Sequence, residues 1–138
     1  MSAARTLARL ALGGALVFAG VSHLTVARQE FQAQVPTWVP VDADAVVLGS
    51  GVVEVALGTA LIAVGPPRRA LVGGLAAGFF VAVFPGNISQ YVTQTDAFGL
   101  DSDRARAVRL VFQPVLVGWA LWSTGAWSRW REYRRQAR

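Results

Sequence analysis

The stretch SGVVEVALGTALIAVG, Ser50–Gly65, carries one charge, Glu54, in an otherwise apolar run. A helix on the surface of a water-soluble domain has a polar face as well as an apolar one. This run has none, and Glu54 is the only charged residue between Ala45 and Pro67. At about 1.5 Å per residue, such a helix crosses the roughly 30 Å hydrocarbon layer of a bilayer. The segment therefore reads as a membrane span. A charge at the centre of a span costs about 2.5–3.5 kcal/mol even on the mildest insertion scale. Glu54 is thus expected to face the protein interior, to be paired, or to be protonated.

Three further runs share this character: Leu10–Ala27, Ala70–Thr95 and Leu110–Ser128 carry no charge, apart from any proton on His23. Runs such as ALVGGLAAGFFVAVF are apolar all round, which excludes a soluble bundle. The expected fold is an all-α membrane protein, a four-transmembrane-helix bundle with short loops. It forms one domain over residues 1–138, with spans at about 8–27, 45–65, 70–92 and 107–127. The composition agrees, with 54% hydrophobic and 15% charged residues, against about 25% charged in a soluble domain. The absence of cysteine excludes disulfides, thiolate metal sites and thiol redox chemistry within the chain. Lysine is absent too, and all thirteen basic residues are arginine, as in GC-rich bacterial coding.

Arginine placement sets the topology. With four crossings, Arg5, Arg9, Arg68, Arg69, Arg129, Arg131, Arg134, Arg135 and Arg138 share one side. Arg28, Arg104, Arg106 and Arg109 lie on the other, offset by Glu30, Asp42, Asp44, Asp96, Asp101 and Asp103. The positive-inside rule then places both termini in the cytoplasm of a bacterial cell, in its inner membrane. The basic tail reads as an anchor near anionic lipid rather than a nucleic-acid patch. The first 27 residues also have the shape of a cleavable export signal. Cleavage would leave three spans and export the basic tail, so the segment is read as span one. Trp38, Trp127 and Trp130 fall where interfacial indoles are expected.

The polar intramembrane residues cluster in depth. Measured from the outer span ends at about 1.5 Å per residue, His23 is roughly 6 Å inside and Glu54 roughly 14 Å. On the same measure Gln90, Asn87 and Gln113 lie about 3, 8 and 9 Å inside. Gly51 and Gly58 flank Glu54 one turn either way, which favours close helix approach. Gly74 and Gly78 make a small-xxx-small pair in span three. Pro85 and Pro114 interrupt spans three and four beside Asn87 and Gln113, freeing the carbonyls of Val81 and Leu110. Broken helices of this kind line cavities or make packing kinks, and both readings stay open.

The candidate ligand-binding or proton-relay residues are therefore His23, Glu54, Asn87, Gln90, Arg109 and Gln113. Glu54 is either an interhelical anchor or a functional acid; a His23–Glu54 hydrogen-bonded or proton-sharing pair is expected. Arg109, one turn before Gln113, reaches Glu54, meets a ligand, or snorkels to headgroups. One histidine and one glutamate are too few for a structural zinc or a haem, so no metal is expected. No catalytic residue is assigned.

GVSH at the end of span one, F…VPTWVP in the loop and GSGVVEVALG in span two resemble the DoxX-like family of small bacterial membrane proteins. VFPGNI and RLVFQPVLVGWA are similar to a subgroup of it. The resemblance runs from about Leu10 to Trp122. It implies a four-helix membrane bundle linked to redox or maturation systems, with His23, Glu54, Asn87, Arg109 and Gln113 as matched polar positions. Pro36, Trp38 and Pro40 form the matched loop. Gly86 departs from the expected alanine, which should only loosen the kink. The expected function is an accessory or binding subunit with an outward-facing polar pocket, linked to redox or to quinone or lipid metabolism. A quinone-reactive oxidoreductase subunit and a small transporter or channel subunit are the alternatives. Quinone is the one cofactor the resemblance suggests. Expected partners are the lipid bilayer, a redox protein and further copies of the chain, and not nucleic acid.

Overall fold

The structure, a computed structural model, describes residues 1–97 and 99–138. The described residues are helical and contain no strand. Helix α1 spans Ala3–Leu24, α2 Arg28–Gln32, α3 Ala43–Ala63, α4 Arg69–Val92, α5 Asp103–Thr124 and α6 Ala126–Gln136. Side-chain caps start three of them. Ser2, Asp42 and Ser102 accept from the backbone N–H groups of Arg5, Ala45 and Ala105, satisfying donors that lack a partner inside the helix. Helix α5 stops at Gly125, whose φ of 77° suits a residue without Cβ, and the chain turns there into α6.

Three helices, α1, α3 and α4, are long and apolar enough to cross a membrane. Helix α5 has similar length, but its first two turns carry Asp103, Arg104, Arg106 and Arg109. The helices begin a few residues earlier than the apolar runs alone indicate, because capping residues and charged first turns extend them. Two elements were not foreseen. The polar segment Arg28–Gln32 folds as α2 within the first long connection, and the basic tail folds as α6.

The long helices associate as two closely packed pairs, α1 with α3 and α4 with α5, with sparser contact between α3 and α4. Glycine makes the first pair close. A Cβ on Gly20 would lie 2.6 Å from the Gly51 carbonyl oxygen, and one on Gly58 would lie 2.6 Å from that of Gly13. The backbones therefore touch at two crossings. In the second pair the packed face is one residue away from the expected one. Gly73 meets Thr124, and Ala76, Ala77 and Phe80 are buried, whereas Gly74 and Gly78 face open space. One residue is a rotation of about 100° on a helix, so a small-residue spacing alone does not say which stripe is used.

Leu12, Leu16, Leu61, Val72, Ala76, Ala77, Phe80 and Ala120 form the apolar core. All but Leu16, just past the middle of α1, come from the N-terminal halves of α1 and α4 and the C-terminal halves of α3 and α5, so the core fills one end of the molecule. Arg9 lies buried at this end and donates to the carbonyl oxygens of Leu61 and, at 3.0 Å, Ile62. It closes the C-terminal end of α3, whose last carbonyls lack intrahelical donors. Trp119 Nε1 donates to the Ala8 carbonyl at 2.8 Å and ties α5 to α1. Phe18, Val52, Leu75 and Val111 turn outward from the four long helices. The opposite end of the molecule is polar inside.

Candidate functional site

The polar end begins with the α1–α3 crossing. Because Gly20 and Gly51 let the two backbones touch, the last turn of α1 lies against the middle of α3. A Cβ on Gly51 would be only 2.8 Å from the His23 Cβ. His23 and Glu54 are both buried, at 6% and 8% exposure. Nδ1 of His23 lies 2.8 Å from Oε2 of Glu54 and 3.4 Å from Ser50 Oγ. The Glu54 contact is close without being aligned as a hydrogen bond. Oε2 of Glu54 and Nε2 of His23 are buried with no aligned partner in the described structure. The His23 ring stands edge-on to Phe31.

The facing wall comes from α4 and α5, where Pro85 and Pro114 interrupt the helical hydrogen bonding. Gln113 is nearly inaccessible and acts as a clamp. Its Nε2 donates to the Phe80 carbonyl at 2.8 Å, one residue before the carbonyl that Pro85 leaves without its usual donor. Its Oε1 accepts from Arg109 at 2.9 Å and from Asn87 Nδ2 at 3.3 Å. Gln113 therefore fixes the orientation of both residues while staying behind them.

The loop after α2 closes the polar end of the bundle. Pro36 is buried, and Val39 N–H donates to the Pro36 carbonyl at 3.1 Å, so the VPTWVP segment is a hydrogen-bonded turn. The Gln34 carbonyl passes so close to α4 that a Cβ on Gly86 would lie 2.8 Å from it. Gly86 does more than loosen the kink: it makes room for the loop. Helix α2 is clipped to α3 by Arg28, which pairs with Asp44 through two donors, and by Gln32, which donates to Asp44 at 2.8 Å. The hydrogen bond to Asp44, with its charge, holds the exposed Arg28 guanidinium above its ordinary range. On the other side, Arg106 pairs with Asp96 and, at 2.9 Å, with Asp103, fixing the α4–α5 connection.

These elements enclose a cavity of about 230 Å³. Its polar lining includes His23, Glu54, Ser50, Asn87 and Arg109, and valines 35, 39, 46, 47 and 83 supply apolar wall. Of the six sequence candidates, four line this space, and Gln113 stands behind two of them. Gln90 does not line it. Buried to 2% exposure, it accepts from Gln34 at 2.9 Å and donates to the Thr95 carbonyl at 3.3 Å, which ties the loop to the end of α4. Ser50 and Gln34 are additions. Ser50 lies one turn before Glu54 on the same helical face, a spacing that was readable. Gln34 sits in an irregular segment, where no periodicity marks it.

His23, Glu54 and Ser50 therefore stand on the α1–α3 wall and Asn87 and Arg109 on the α4–α5 wall, with apolar surface between. Such a site suits a small molecule with a polar head and an apolar body. Among the described residues no three of His, Asp and Glu converge to hold a metal ion.

A family model described as a domain of unknown function, DUF8561, matches residues 12–124, so the chain belongs to that family. No curated protein and no solved structure matches the chain.

Proposed function

We propose that this DUF8561 member is a small DoxX-like protein of the bacterial inner membrane that binds the head of an amphipathic molecule, a quinone in the first place. It acts as an accessory or binding subunit of a redox system. The observation that carries this reading is the cavity, where a buried His23–Glu54 contact faces Asn87 and Arg109 across apolar walls. A soluble polar ligand would not need that wall, and a purely structural Glu54 would not leave a cavity beside it.

A fourth crossing by α5 is part of the proposal. Two of the three arginines that lower its hydropathy are not presented to lipid, and the exposed third, Arg104, lies in its first turn. Arg106 is buried in ion pairs, and Arg109 is held by Gln113 at the cavity. Helix α5 also runs antiparallel along α4, from the Gln113–Phe80 bond to the Thr124–Gly73 contact, so it traverses the layer that α4 traverses. With four crossings the arginine asymmetry favours cytoplasmic termini and a cavity open toward the outer side.

Titration of the purified protein in detergent with a short-chain benzoquinone tests the binding role. Saturable binding by the wild type, lost in Glu54→Leu, is the expected result. Leucine makes the span more apolar, so membrane insertion should be unaffected. A wild type that shows no saturable binding refutes the proposal. A quinone-reactive oxidoreductase subunit is the second reading, favoured by the 2.8 Å approach of His23 and Glu54, which suits proton exchange.

A further inference from the structure

We propose that α6 and the adjoining face of α4 form a site for a single anionic phospholipid, whose phosphate is held between Arg129 and Arg134 while one acyl chain lies along α4 over Gly74. The site is at the opposite end of the molecule from the cavity and does not depend on the binding role proposed there.

Helix α6 repeats apolar residues at helical spacing, so that Ala126, Trp130 and Tyr133 share one face. Ala126, at the start of that face, is buried, but Trp130 is half-exposed and Tyr133 is exposed. The apolar stripe therefore continues beyond the bundle it packs on. A basic helix with such a stripe lies in the headgroup region of a bilayer, its aromatic side at the acyl boundary.

Two adjoining hollows share Trp130. The first, of about 430 Å³, is apolar and is lined by Leu71, Gly74, Leu75, Leu121 and Trp127 besides Trp130. Open space stands over Gly74, and the Trp127 and Trp130 rings lie 5.3 Å apart beside it. This groove follows the first two turns of α4, from the helix end toward the middle of the span, which is the course of an acyl chain. The second hollow, of about 320 Å³, lies between Arg129 and Arg134 and includes Tyr133. Both guanidinium groups are positioned there. Arg134 stacks 4.4 Å from the centre of the Trp130 ring, and Arg129 donates to the Pro67 carbonyl at 3.2 Å. A guanidinium has five N–H donors, so each keeps donors for a phosphate oxygen after these contacts.

An apolar groove that opens into a basic hollow matches a phospholipid, chain to groove and head to hollow. Charge selects the head. From Ala126 to Arg138 the chain holds five arginines and one carboxylate, Glu132. The neighbouring first turns of α1 and α4 add Arg5 and Arg69 and no acid. Glu132 lines neither hollow, so no carboxylate there meets the ammonium of a zwitterionic head.

Native mass spectrometry of the full chain, released from a neutral detergent, measures a dissociation constant for each probe. The probes are dioleoylphosphatidylglycerol, dioleoylphosphatidylcholine and glycerol phosphate, which is the head without its chains. One phosphatidylglycerol is expected to bind at least about ten-fold tighter than either of the others. In the double variant Arg129→Gln, Arg134→Gln its advantage over phosphatidylcholine should fall to about three-fold or less. Gly74→Leu should fill the groove and weaken both lipids while leaving their ratio unchanged. Equal binding of the two lipids by the wild type overturns the proposal. Glycerol phosphate binding as tightly as phosphatidylglycerol also overturns it, since an anion site without a groove would explain that result. A preference that survives the double variant overturns the assignment of the head to Arg129 and Arg134. The wild-type comparisons do not depend on how well the variants fold.

Discussion

Replacing Gly20 by alanine should separate the two residues on which the site depends. The added Cβ would stand 2.6 Å from the Gly51 carbonyl oxygen and 2.8 Å from both the backbone nitrogen and Cγ2 of Val55. Two of those neighbours are backbone atoms, so no change of rotamer relieves the clash. To restore an ordinary contact, α1 and α3 must part by about 0.8 Å. Overpacking of this kind costs about 1–3 kcal/mol. The same displacement would take the His23–Glu54 approach from 2.8 Å to roughly 3.6 Å, beyond hydrogen-bond range. Denaturant titration in mixed micelles, followed by helical circular dichroism, should show an earlier transition, and quinone titration should show weakened binding. Gly58→Ala is the first control: it crowds the other crossing, so stability should fall with a smaller effect on binding. Gly74→Ala is the second, because open space surrounds that position and both measurements should stay at wild-type values. If Gly20→Ala unfolds and binds as the wild type does, the backbone crossing is not what seats the pair.

Gly86→Ala should push the Gln34 carbonyl off α4 and lift the loop from the cavity, at a cost of about 1–3 kcal/mol. Raised proteolysis between Gln32 and Pro40 would report it, and unchanged cleavage would contradict the loop contact. Reporter fusions at Arg138 and near Asp101 should be active on opposite faces of the membrane, with the former cytoplasmic. A fusion at Arg138 active only on the outer side would overturn the assigned topology.

Much of this arrangement was legible from residue type and spacing. The long apolar runs delimit the long helices, because apolar composition is what lets a helix shed water all round. Glu54 could be turned inward on cost alone, and Gly51 and Gly58 marked the face that carries it. The depth argument grouped His23, Asn87 and Gln113 with it, since helices of similar length place residues at similar heights. What escaped depended on contacts between distant segments. The choice of Gly73 over Gly74 as a packing face is a matter of helix rotation, which only the neighbouring Thr124 decides. Gln90 shared the depth of the cluster but not its direction, and depth says nothing about direction. Gln34 and the close passage over Gly86 belong to a loop whose path no periodicity encodes. Arg9 read as a charge flanking a span, yet it is buried against the end of α3 because the carbonyls of Leu61 and Ile62 need donors.

The division of the long helices into two tight pairs has a mechanical consequence. His23 and Glu54 ride on one pair and Asn87 and Arg109 on the other, while α3 and α4 meet only sparsely across the gap. A bound head that reaches both would act as a tie between two rigid jaws and resist their separation. At about one hundred-fold excess over its dissociation constant, such a ligand would add roughly 2.7 kcal/mol against any unfolding that first parts the pairs. The shared apolar core and the Trp119–Ala8 bond hold the pairs together at the far end, so the empty protein has its weakest junction at the polar end, and a bound head would close it.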